Sequence, residues 1–291
     1  MPCGRRLLPL LVLALVAPLT ACAATNRSGE QVVVSFYPLQ YVAQRIVGSH
    51  ASVSNLTKPG VEPHELELRP SQIADISAAD VVFYEKGLAP SFDDAVAQNT
   101  PEHVVDTTST VALRQGDGGK DPHFWQDPTL LAKAASAFTT VMAKADPDHA
   151  AAYRANDADL QADLTKLDQE LEQGLAHCRT RTLVVSHDAF EYYGRRYDLD
   201  VEPIAGLSPD AEPSAKHLAQ LADLARTKGI TTIFNETLAS PKLADTLASD
   251  VGITTAVLDP IEGLTSKDPD ADYLSLMRDN LRAIQKAGGC T

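Results

Sequence analysis

Positive charge is scarce in this sequence. Its 291 residues carry 25 Lys and Arg against 39 Asp and Glu, a formal net charge of −14. A chain that grips nucleic acid neutralises phosphates with clustered Lys and Arg, so this balance excludes nucleic acid as a partner. It is compatible with attracting cations, but an acidic balance more often means only solubility. Cysteine is scarce too, with four in the whole chain and no CxxC pair. Low-complexity tracts are absent. A hydrophobic fraction of 44% and a charged fraction of 22% are those of a globular chain, long enough for two domains of ordinary size. Residues 148–173 hold neither glycine nor proline. An HExxH zinc-hydrolase motif is missing as well: His64-Glu65 begins one, but position 68 is Leu.

The apolar run at 7–19 is too short to span a bilayer comfortably and follows the charged pair Arg5-Arg6, which is the order of a secretory leader. The sequence LTAC at 19–22 then resembles the lipobox of bacterial lipoproteins. That likeness implies a lipoprotein signal peptide over 1–21, a lipid on Cys22, and a polar tether over 22–30. Ordinary secretion by cleavage after Ala23 is the alternative. Export places the chain in an oxidising compartment. Cys3 leaves with the leader and Cys22 takes the lipid, so Cys178 and Cys290 remain, and a disulfide is the first reading of that pair. A two-cysteine zinc site is the weaker one.

From residue 31 onward, apolar β-branched runs alternate with helical periodicity. Strands are expected at 31–36, 52–57, 80–84 and 102–107, with helices at 38–47 and 70–78 and a short one capped by Ser91. Strand–helix–strand alternation predicts a parallel sheet with crossover helices. A helix follows at 129–144. From 148 to 176, Leu160, Leu164, Leu167 and Leu171 recur at three and four, which predicts one helix of about 28 residues, on the order of 40 Å long. It reads as a rigid spacer. The alternation then resumes, with strands at 182–187, 199–204, 231–235 and 254–258 and helices starting at Asp188, Pro213, Pro241 and Asp272. The expected fold is α/β: two similar lobes, 31–147 and 177–291, each a mainly parallel sheet flanked by helices, joined by a long rigid helix over 148–176.

The stretch DPHFWQDP at 121–128 sets His123 between two Asp-Pro corners. Proline fixes its own φ and keeps the preceding residue out of the helical region, so the loop is stiff and loses little freedom on holding a ligand. His64 lies in a second proline-rich loop, His187 ends the first strand of the second lobe, and Asp259, in LDP, ends the last. In open α/β sheets ligands bind at the carboxyl ends of strands, and all four residues occupy such ends, two per lobe. Across a cleft, three imidazoles and one carboxylate suit tetrahedral zinc. Alone, each would read more simply as a hydrogen-bonded histidine or a turn aspartate.

Four segments, EPHELELRP at 62–70, DPHFWQDP at 121–128, VSHDAFEY at 185–192 and NET at 235–237 with LDP at 258–260, together resemble the metal-binding solute-binding proteins of zinc and manganese ABC importers. The likeness runs from about residue 31 to the end of the chain. It implies two lobes joined by one long helix, metal ligation by His64, His123, His187 and Asp259, and delivery of the ion to an ABC-transporter permease. Manganese members carry glutamate where His187 stands, so the likeness implies the zinc branch. The chain departs from many zinc members at 114–120 (RQGDGGK), which is short, glycine-rich and free of histidine where they carry a histidine- and acid-rich loop.

Three functions follow. The expected one is an extracytoplasmic zinc-binding protein, monomeric and lipid-anchored, that captures zinc between two lobes and passes it to the permease. The alternative is a secreted zinc-dependent hydrolase with the same three histidines, water as fourth ligand and Glu65, Glu191 or Glu236 as base. An adhesin is the third, a label given to some relatives, with no feature of this sequence to support it.

Overall fold

The computed structural model describes residues 1, 30–116, 118–265 and 271–291. The leader beyond Met1, Cys22 and the tether up to Gly29 lie outside the described residues. No helix among the described residues is long and apolar enough to cross a membrane.

The first lobe opens with β1 (Glu30–Val34) and α1 (Tyr37–Val47), which has Pro38 in its first turn and Gly48 at φ 56° just past its end. β2 (Ala51–Asn55), α2 (Pro70–Ala78), β3 (Val81–Tyr84), α3 (Pro90–Asn99) and β4 (His103–Asp106) follow. All pairings in this sheet are parallel, in the order β2-β1-β3-β4. The central strands are buried on both faces, with Val32 and Val81 fully enclosed, as expected of a covered parallel sheet. Ser91 is not the cap of α3. The helix begins one residue earlier, on Pro90, and the Ser91 hydroxyl instead donates to the carbonyl of Leu66.

A two-stranded antiparallel hairpin, β5 (Gln115–Gly116) and β6 (Gly119–Lys120), occupies the glycine-rich stretch read above only as a loop. α4 (Pro128–Ala145) starts on Pro128, and Asp127 accepts from the Thr129 N–H at 2.8 Å. α5 (Ala150–Leu175) has 26 residues, about 39 Å. Its buried stripe of Tyr153, Leu160, Leu164, Leu167 and Leu171 recurs at helical spacing and packs against α1 and α4.

The second lobe holds β7 (Thr182–Val185), α6 (Glu191–Tyr197), β8 (Asp200–Pro203), α7 (Ala215–Lys228), β9 (Thr232–Asn235), α8 (Lys242–Val251), β10 (Thr254–Val257) and α9 (Tyr273–Gly288). Its sheet is also parallel, in the order β10-β9-β7-β8. Counted within each lobe, both sheets read second–first–third–fourth, so the lobes share one topology. Residues 186–190 are not helical; α6 begins at Glu191 rather than Asp188. That irregular stretch is where His187 sits.

α5 also packs against α9. Arg45 of the first lobe meets Asp163 at 2.6 Å and Arg278 of the second meets Glu170 at 2.7 Å, so the central helix is fastened to both sides. One apolar core runs through the molecule, taking in Val32 and Phe83 of the first sheet, Leu183 and Phe234 of the second, and Trp125, Phe190 and Tyr273. Cys178 and Cys290 are joined by a disulfide that ties the end of α9 to the start of the second lobe.

Candidate metal centre

Four loops at the carboxyl ends of strands meet between the lobes. His64 follows β2 in a tight turn that Pro63 begins and that the Glu62 carboxylate closes by accepting from the His64 N–H at 3.2 Å. His123 follows the hairpin. One oxygen of Asp121 accepts from both the backbone N–H (3.0 Å) and Nδ1 (2.9 Å) of His123. The next residues anchor this stretch across the lobe boundary. Trp125 donates to the Pro260 carbonyl at 2.7 Å, Gln126 donates to the same oxygen, and Tyr273 donates to the Trp125 carbonyl at 2.5 Å. His187 leaves β7, and its Nδ1 lies 3.0 Å from Glu236 Oε1, which also accepts from the Ser186 hydroxyl at 2.6 Å.

The fourth position is held by Glu262, three residues past the aspartate expected there. Asp259 lies outside the group. One of its oxygens accepts from the Ile261 N–H at 2.7 Å and the other from the Thr237 hydroxyl at 2.9 Å. Its backbone is clamped by Asn280 of α9 in both directions, at 2.8 and 2.6 Å. Asp259 therefore shapes the loop and Glu262 reaches the centre. Between them Ile261 is fully buried at φ 60°, a left-handed conformation that a β-branched side chain rarely adopts and that costs on the order of 1–3 kcal/mol. The surrounding clamp holds this strain in the turn that aims Glu262.

The geometry is that of a four-donor site. Glu262 Oε1 stands 3.0 Å from His123 Nε2, 3.2 Å from His187 Nε2 and 3.5 Å from His64 Nε2, and the His64 and His123 Nε2 atoms are 3.2 Å apart. All four donor atoms lie within 4.8 Å of one another. Four ligands about 2 Å from a tetrahedral ion are separated by about 3.3 Å, so the spacing needs little adjustment. With Nδ1 of His123 and His187 donating to carboxylates, the Nε2 lone pairs face the centre, an arrangement that fixes ring orientation and raises ligand basicity. The other Glu262 oxygen, Oε2, is buried away from the imidazoles, and the Glu262 side chain also hydrogen-bonds to that of Glu62.

Charge in the site is finely opposed. Burial disfavours the charged form of His187, but Glu262 and Glu236 outweigh it and hold its pKa well above the usual imidazole value. Burial likewise opposes a charge on His123, yet Asp121 and Glu262 raise it. Burial would push Glu262 up, whereas His187, His123 and His64 hold it well below the carboxylate range. Glu62 goes the other way: burial and then the Glu262 charge push it up to about 9. The carboxylates around His123 and His187 thus favour protons on these rings against the cost of burial. A cation can replace those protons.

The three histidines marked in the sequence come together here, and Glu262, which the sequence did not single out, joins them. Its only signal was a glutamate close after LDP in a loop at a strand end. The Asp-Pro corner drew attention to the residue that builds the turn rather than the one that the turn presents. Glu236 was weighed only as a base.

A family model described as the periplasmic zinc-uptake complex component A, ZnuA, matches residues 32–287. The high-affinity zinc uptake system protein ZnuA of Bacillus subtilis is 33% identical over 91% of this chain and 92% of its own length. The zinc-binding lipoprotein AdcA of Streptococcus pneumoniae is 31% identical, and the alignment takes in 95% of this chain but 60% of that protein. The crystal structure of Zn(II)-bound AdcA superposes with a TM-score of 0.78 over 89% of this chain and 58% of that one, at 31% identity. The laminin-binding protein of Streptococcus agalactiae, described as bifunctional with adhesin and metal-transporting activity, gives a TM-score of 0.82 at 27% identity over 89% of this chain and 99% of that one.

Proposed function

The chain belongs to the ZnuA family of zinc-uptake components, and from that premise we propose that it captures zinc outside the cytoplasmic membrane and hands it to an ABC-transporter permease. His64, His123, His187 and Glu262 hold the ion, each through one atom. The observation that carries this reading is the 3.0–3.5 Å spacing of Glu262 Oε1 from three imidazole nitrogens, two of them oriented by carboxylates. Three borderline nitrogens and one oxygen favour zinc over manganese. In the same reading Cys22 carries a lipid and the protein works as a monomer.

The reading as a carrier rather than a hydrolase is supported by the donor count and by the fate of the candidate bases. Four protein ligands leave a tetrahedral ion no open position for water. Glu65 is exposed beside Asp210, Glu191 pairs with Arg114 at 3.1 Å, and Glu236 orients His187. Zinc titration of the purified chain against a chelator of known affinity is the test. One tightly held ion per chain is expected, lost in His123→Ala. Stoichiometry and affinity untouched by that substitution would sink the assignment.

A further inference from the structure

Beside the centre lies an open cavity of about 320 Å³, at the lower end of the range that holds small ligands. His64 forms part of its wall, and the rest comes from both lobes: Lys86 after β3, Leu113 and Lys120 of the hairpin region, and Leu207 and Ser208 from the loop after β8. His64 is also the most accessible ligand, its side chain 11% exposed against 0% for His123 and His187. An ion reaching the centre through this cavity meets His64 first.

Two lysines are out of place at the mouth of a cation site in a chain of net charge −14. Neither Lys86 nor Lys120 forms an ion pair with another described residue, whereas Arg114, at the base of the same hairpin, is held by Glu191. Acidic side chains stand close by without lining the cavity: Glu65 and Asp210 lie together, Asp93 is within reach of the Lys86 charge, and Asp106 accepts from the Lys86 backbone N–H at 3.3 Å. Ammonium groups in the cavity wall repel a bare dication and attract an anion. A zinc ion wrapped by a small polycarboxylate has net negative charge.

We propose that this cavity is a docking site for zinc carried by a small polycarboxylate chelator, with Lys86 and Lys120 holding the chelator's carboxylates while the ion passes to His64. The proposal rests on the zinc-capture reading above and specifies the form in which the ion arrives. The transfer is a ligand exchange without redox change. Zinc–oxygen bonds to the chelator break as zinc–nitrogen bonds form, first to His64 and then to His123 and His187. Glu262 supplies the remaining oxygen. The protons displaced from the imidazoles go to solvent or to the freed carboxylates. The chelator leaves as the anion.

The experiment is a stopped-flow measurement of zinc uptake in two arms, from zinc citrate and from zinc in a weakly coordinating buffer, with native protein and the double variant K86Q/K120Q. Uptake from citrate is expected to slow about tenfold in the variant, at the low end of electrostatic steering effects, and K86R/K120R is expected to restore it. Uptake of zinc alone is expected to be unchanged or faster, with equilibrium affinity for zinc alone unaltered. Raising the ionic strength should slow only the citrate arm of the native protein. An unchanged citrate arm, or equal changes in both arms, overturns the docking site and leaves zinc capture standing. A native protein that takes up zinc in neither arm overturns zinc capture itself.

Discussion

At the residue scale, the proposed assignment separates side chains that hold the ion from side chains that aim them. Glu262→Gln removes the one anionic donor, itself fully buried, and zinc affinity is expected to fall by more than the roughly 10–100-fold typical of losing an orienting partner. Glu236→Gln is expected within that range. Asp259→Asn keeps an oxygen for the Ile261 N–H and is expected to change affinity least of the three. Competition titrations rank them, and an Asp259 effect larger than that of Glu262 would reverse the roles. The three histidines were legible in the sequence because stiff proline loops and strand ends mark them. Glu262 was not, because its approach depends on the φ of Ile261 and the grip of Asn280 on Asp259, both products of tertiary packing. The pH dependence follows from the same charges. His123 and His187 are raised in the metal-free protein, so protons compete with zinc. Affinity is expected to fall as pH drops, beginning above the ordinary imidazole value of about 6.5. The sign for stability is opposite in the metal-free chain. Groups raised in the folded state stabilise below their unfolded pKa and lose that contribution as pH rises through the folded one. Glu62, at about 9, adds to the same trend. The Tm of zinc-free protein is therefore expected to fall from pH 7 to 9 while the increment from zinc grows. A flat affinity profile counts against histidine ligands.

At the element scale, the sequence was most legible where periodicity and end signals agree. α2 is bounded by Pro70 and Ala78 as read, and the leucine stripe of α5 lies on its buried face. It was least legible where local signals are weak. The hairpin at 115–120 is two residues per strand and rich in glycine, and it lacks the alternation that marks a strand. Residues 186–190 hold no helix breaker, so Asp188 read as a helix start. There the chain instead turns to deliver His187, whose carbonyl accepts from the Ala189 N–H at 2.9 Å. α6 contains Gly194, and substitution by Ala would by helix propensity alone stabilise by about 1 kcal/mol. A Cβ there would stand 2.9 Å from the Leu199 backbone oxygen and 2.7 Å from Val201 Cγ2. Backbone cannot rotate aside, and overpacking costs about 1–3 kcal/mol. Gly194→Ala is therefore expected to destabilise, read from the urea midpoint; a gain in stability would show that β8 can give way. The Cys178–Cys290 bond spans 112 residues of sequence, for which loop-closure entropy gives roughly 4–5 kcal/mol as an upper figure. The double variant C178S/C290S is expected to lower the midpoint while leaving zinc affinity intact, because the bond lies before the amino end of β7, whereas His187 follows the carboxyl end of that strand. Loss of both would place the disulfide in the support of the centre.

At the scale of the whole molecule, two lobes of one topology share an apolar core, and each keeps a smaller apolar cluster of its own. Hydrogen bonds and ion pairs cross the boundary on more than one side: Tyr37 to the Ala271 carbonyl at 2.8 Å, the Gly60 N–H to the Leu264 carbonyl at 2.7 Å, and Arg114 to Glu191 at 3.1 Å. α5 adds contacts to both lobes along its length. Lobes that hinge as rigid bodies need a small, polar interface between them, and this one buries Trp125, Phe190 and Tyr273. The resulting expectation is one cooperative thermal transition in calorimetry, with and without zinc, and no separate melting of a lobe. Zinc binds the folded state and shifts that transition upward by mass action, about 2.7 kcal/mol when free ion is one hundred times the dissociation constant. Because release cannot proceed by wide opening, the radius of gyration from small-angle scattering is expected to be the same for zinc-free and zinc-loaded protein. Local movement of the His64 loop is then enough to free the ion, since that ligand alone of the three histidines is accessible. Two resolved transitions, or a clear contraction on adding zinc, would mean that the shared core does not couple the lobes and that capture works by closure.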